Sequence, residues 1–128
     1  MTMSYTPVNR IGTDHTIWVN GLIFYKDEIK MMEARLTEVA SKKSSFEASQ
    51  DIEHFQNQFI LQRNNIDELK HDVNIYVSKL AKETKEINGQ PDGEMLGEKL
   101  ELHERYEGIE KVMKELRDDF KEFLAKWM

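Results

Sequence analysis

The stretch IEHFQNQFILQRNNIDELKHDVNIYVSKL, residues 52–80, decides the fold. Its apolar side chains recur three then four positions apart, as Ile52, Phe55, Phe59, Ile66, Leu69, Val73, Tyr76 and Leu80, with Gln62 standing where one more belongs. A mean step of about 3.5 residues keeps one stripe of an α-helix against a neighbour along its whole length. The same spacing runs through Trp18, Leu22, Tyr25, Ile29, Met32, Leu36 and Val39 before it, and through Leu102, Tyr106, Ile109, Met113, Leu116, Phe120, Phe123 and Trp127 after it. Three such stripes predict an all-α fold, with helices packed along coiled-coil-like heptad seams.

The segments between the stripes set the topology. Ser41-Lys-Lys-Ser-Ser45 is a short polar turn, and Asn88-Gly-Gln-Pro-Asp-Gly93 is a cluster of helix breakers. Helices are expected over about residues 14–43, 46–87 and 93–127, the second roughly 60 Å long. Two short connections make neighbours antiparallel, giving an up-down-up three-helix bundle in a single domain over residues 1–128. Residues 1–13, with Pro7 and Gly12, read as an irregular arm, and Thr13 or Asp14 as the cap of the first helix. Pairing across the turns sets Val39 by Ile52 and Leu80 by Leu102, and puts Trp18, Val73 and Ile109 in one layer. On that register the second helix overhangs the first at its Leu80 end, and Lys99 snorkels to water there.

Composition excludes several functions. With no cysteine there is no disulfide, thiol nucleophile or thiolate metal site. A formal charge of -6 argues against nucleic acid and anionic membrane surfaces. The longest apolar run, Ile17 to Tyr25, is broken by Asn20 and falls far short of the roughly 20 residues of a membrane span. No signal-peptide pattern opens the chain. A cytoplasmic protein is expected, with no cofactor and no enzymatic activity, since no Ser-His-Asp pattern, phosphate loop or HExxH occurs.

Two surfaces stand out. Ile17, Phe24 and Met31 recur every seven residues off the main stripe of helix 1, with Ile23 beside them. One helix with two apolar stripes is buried on two sides. A homo-oligomer, most simply a dimer through helix 1, is the expected reason; an N-terminal arm folded over the stripe is the alternative. The other surface is acidic. From Asp92 to Glu110 seven carboxylates (residues 92, 94, 98, 101, 104, 107 and 110) face only Lys99 and Arg105, and Glu98, Glu101 and Glu104 could receive a basic protein partner.

Metal or small-ligand binding is the competing function. Glu68 and His71 have the Glu-x-x-His spacing of di-iron bundles, but Leu69 and Val73 turn inward and leave that pair outside. His15 continues the helix 1 stripe and is expected near Tyr76 and Tyr106, with His103 and Glu107 about a turn away. Gln62 is expected to fix register, with Tyr25 as its hydrogen-bond partner.

The runs Phe24-Tyr-Lys-Asp-Glu28, Glu53-His-Phe-Gln-Asn-Gln-Phe59 and Glu68-Leu-Lys-His-Asp72 together resemble small, functionally uncharacterised bacterial all-helical proteins. The resemblance covers helices 1 and 2. It implies a bacterial cytoplasmic setting and transfers no activity. It also draws attention to the outward Glu53, His54, Gln58 and His71.

Overall fold

The computed structural model describes the backbone of residues 7–42, 45–86 and 93–128, and the side chains of residues 14–42, 45–82 and 93–128. Three helices follow one another: α1 (Pro7–Lys42), α2 (Phe46–Glu86) and α3 (Gly93–Trp127). Cross-helix bonds define the topology. Lys26–Asp67 and Glu33–Arg63 run α1 against α2 in opposite senses, and Asp72–Arg105 and Lys79–Glu98 do the same for α2 and α3. Asp14–Lys99 and Glu28–Arg117 climb together, so α1 and α3 are parallel. This is the antiparallel up-down-up bundle that the spacing predicts. No helix among the described residues is long and apolar enough to cross a membrane.

Every residue of the three stripes is buried except Tyr25 and Trp127, which are half-buried against the core. Gln62 is the one buried polar side chain within the seams. At one end Phe55, Phe59, Phe120 and Phe123 form an aromatic cluster, with ring centroids 5.0 to 6.0 Å apart. Trp127 closes that end, its Nε1 donating to Asp51 Oδ2 at 3.0 Å. Ser45 caps α2, its Oγ accepting from the Ala48 amide at 3.1 Å and so satisfying one orphan donor of the first turn.

Two expectations fail, each for its own reason. α1 begins at Pro7, so residues 7–13 are helix rather than an irregular arm, and neither Thr13 nor Asp14 is its cap. Proline suits a first helical position because its missing N–H has no acceptor there anyway. Lys99 meets Asp14 at 3.0 Å, with only 18% of its side chain exposed, instead of reaching for water, because α3 is displaced along α1 from the expected register. Residues 7–13 also run on along the α1 axis, so they cannot fold back across Phe24 and Met31. Residues 1–6, 43–44 and 87–92, including the Asn88–Asp92 breaker cluster, lie outside the described residues.

The register of α3 is also displaced from the expected one. Trp18 packs against the His103 ring at 6.0 Å, not in a layer with Ile109. Tyr106 comes to rest at Gly21, where a Cβ would lie 1.8 Å from its Oη and 2.8 Å from Cζ. Only a residue without a side chain admits the phenol there. Gly21→Ala would gain about 1 kcal/mol of helix propensity, against an overpacking cost of about 1–3 kcal/mol for a buried ring that cannot swing clear. We expect urea denaturation to show a net loss of stability for Gly21→Ala. Adding Tyr106→Phe, which removes the closest atom, should recover most of it.

Candidate functional site

α1 and α3 pack less closely on each other than either packs on α2, and polar side chains tie them together. Arg117 clasps Glu28 with Nε and Nη2, at 2.5 and 2.8 Å. The two-point bond holds the guanidinium charged, with its pKa above the ordinary arginine value. Tyr25 donates to Glu110 Oε2 at 3.5 Å, so it does not serve Gln62 as expected. Its pKa is raised by burial first and by Glu110 next.

Beside this clasp lies a groove of about 420 Å³. Its floor is Met32 and Phe120, both part of the core; Phe24 and Met31 form the α1 wall, Leu124 and Lys121 the α3 wall. Phe24 is 59% exposed and Met31 70%, large values for side chains that water disfavours. The second stripe of helix 1 is thus half of a two-helix feature. The α3 half escapes a search for apolar stripes because Phe120 belongs to the heptad seam and Leu124 falls one step beyond it. Its signal is nevertheless in the sequence: Arg117, Lys121, Leu124 and Met128 follow the four-three-four step of one helix face.

The other expected surface residues are distributed as follows. Ile17 is 55% exposed and lies two turns from Phe24 on the same stripe. Ile23, 42% exposed, is about 100° round the helix from Phe24 and belongs to a different face. On the acidic side Glu98 is bonded to Lys79 at 2.7 Å. Glu98 and Glu101 line a second, polar groove between α2 and α3, together with Asp72, Tyr76, Lys79 and Arg105. Glu101 and Glu104 make no ion pair among the described residues, and both are exposed.

The expected convergence of His15, Tyr76, Tyr106, His103 and Glu107 does not form. The shift of α3 carries Tyr106 down to Gly21 and Tyr25, about two turns from His15. Its pKa is pushed up to about 12 by burial, with Tyr25 and Glu110 adding to it. His103 leans on Trp18 and pairs with Glu107 at 3.4 Å on an exposed face. Tyr76 stays at the His15 end and is also pushed up to about 12, by burial and then by Glu98 and Asp14. Its Oη and His15 Nδ1 are buried with no hydrogen-bond partner among the described residues. Glu68, His71, His54 and Glu53 are exposed, as the inward Leu69 and Val73 require. Among the described residues no three His, Asp or Glu side chains stand close enough to hold a metal ion.

No protein-family model, curated protein or solved structure matches the chain.

Burial lowers the pKa of His15 below its ordinary 6.5, because a half-dry imidazole resists charging. The unfolded chain then binds the proton more readily than the folded one. The stability this supplies is complete above about pH 6.5 and drains away as pH falls below it. His15→Gln should therefore show a smaller drop in melting temperature between about pH 7.5 and 5.5 than the parent chain. Thermal melts at the two pH values check this.

Proposed function

We propose that the chain is a non-enzymatic interaction protein, a helical scaffold that self-associates through the face shared by α1 and α3. One observation carries this reading: a groove with a core-like floor, Met32 and Phe120, stands open between exposed Phe24 and Met31 and half-buried Leu124. Bundle helices cover such apolar floors with a neighbouring helix, and here the chain has no fourth helix to lay there among the described residues. The α1 extension from Pro7 takes residues 7–13 away from that groove, since it runs on along its own axis.

The acidic face of α3 is the weaker candidate for a partner. Of its carboxylates, Glu98 is neutralised by Lys79, Glu107 faces His103, and Glu110 accepts from Tyr25. A basic protein would find mainly Glu94, Glu101 and Glu104, too few charges for strong steering at physiological salt.

Among the described residues, metal or small-ligand binding through the expected histidines is supported only at the His15 end, where Tyr76 Oη and His15 Nδ1 have no hydrogen-bond partner. Two neutral polar atoms suit a small polar molecule better than a cation. Tyr76→Phe distinguishes the two states of that end: a stabilised or unchanged fold means the hydroxyl serves nothing, whereas a destabilised one means it has a bound partner in solution.

Static light scattering over a range of concentrations should give twice the chain mass. Phe24→Glu, and separately Met31→Glu, should restore the single-chain mass with the helical circular dichroism signal intact, because neither side chain supports the core. A single-chain mass for the parent at every concentration would remove the proposal.

A further inference from the structure

Gln62 interrupts the apolar seam of α2, and no other side chain answers it. The residue is only 5% exposed, yet its amide makes no hydrogen bond among the described residues. Tyr25, its expected partner, donates to Glu110 instead. A buried amide left unpaired costs stability, so a group of this kind calls for a partner from outside the chain.

Gln62 opens on a groove of about 380 Å³ between α2 and α3. That volume lies at the small end of the roughly 300–1,000 Å³ of ligand sites. Along its α2 side come Gln62, Asn65 and Glu68 in turn, and the buried Leu69 and Ile109 form its floor. The α3 wall is low at Gly108, where a Cβ would meet nothing within 4 Å. Glycine inside a helix lowers helix propensity. At Gly21 the missing side chain admits Tyr106, whereas at Gly108 it leaves an unfilled place beside the groove.

The groups in this groove that the chain does not satisfy define its complement. Arg105 also borders the groove, but it pairs with Asp72 at 2.9 Å and its charge is met. Glu68 is exposed and makes no ion pair among the described residues. What remains is an amide at Gln62, able to donate and accept, and a carboxylate at Glu68. A second amide matches the first by a two-point hydrogen bond, and an ammonium matches the carboxylate. Between them the apolar floor suits a methylene stem. Six positions of α2 separate Gln62 from Glu68, about 9 Å of helix rise. An extended stem of about five methylene groups covers most of that length. The formal charge of -6 also favours a cationic ligand.

We propose that the α2/α3 groove binds a small alkylammonium amide, with its amide paired to Gln62, its ammonium to Glu68 and its methylene stem on Leu69 and Ile109. The site lies on a different pair of helices from the apolar groove of α1 and α3, so it does not depend on self-association.

The probe is ε-aminocaproamide, with hexanamide and hexylamine as the compounds lacking its ammonium and its amide. Titration followed by the side-chain amide resonances of Gln62 and Asn65 should show a saturable shift with ε-aminocaproamide. Each of the other two compounds should bind about tenfold more weakly or worse. Gln62→Leu completes the apolar seam and Gly108→Leu fills the open place on the wall. Both should keep the parental helicity and lose the saturable response, read for Gln62→Leu at Asn65. No saturable shift, an equal response to hexylamine, or binding that survives both substitutions overturns the proposal. Light scattering run alongside reports self-association separately, and a single-chain mass there leaves this site standing.

Discussion

Tyr106 can stand between α1 and α3 only because residue 21 has no Cβ. The heptad seams fix which faces of the three helices turn inward, but they are indifferent to sliding by whole turns, since Leu, Ile and Phe repeat along each stripe. Something less repetitive has to choose the level. For α3 it is the fit of the phenol at Gly21, helped by the Trp18–His103 stack and the two-point Glu28–Arg117 bond. That choice places Leu124 and Lys121 opposite Met31 and Phe24, and so makes a groove of what would otherwise be two unrelated edges.

Helix number, order, direction and inward faces are legible in the sequence, because a period of about 3.5 residues over 29 positions has one structural meaning. The level of α3 is not. Pairing residues outward from a turn of unknown shape accumulates error, and it sets Trp18 beside Ile109 when the ring it meets is His103. The start of α1 is obscured because Pro7 and Gly12 look like helix breakers. A proline in the first turn breaks nothing. Lys99 finds Asp14, which the expected helix already held, because the level of α3 differs from the expected one.

The candidate site is half visible in the residues alone. Ile17, Phe24 and Met31 announce themselves as a second stripe on one helix. Their counterpart on α3 does not, because it is mixed: Leu124 and Met128 share their edge with Arg117 and Lys121. A hydrophobic reading discards such an edge. The histidine constellation fails because residues expected to share a level do not.

The proposed self-association would cover the exposed apolar face of α1 and α3 with another copy of the chain. The methionine methyls report on it directly, because Met31 and Met128 lie on that face while Met32, Met95 and Met113 are buried in the core. A soluble paramagnetic agent should leave the Met31 and Met128 methyl resonances sharp at high protein concentration and broaden them on dilution, with the core methionines unaffected throughout. Equal broadening of Met31 and Met128 at every concentration would contradict it.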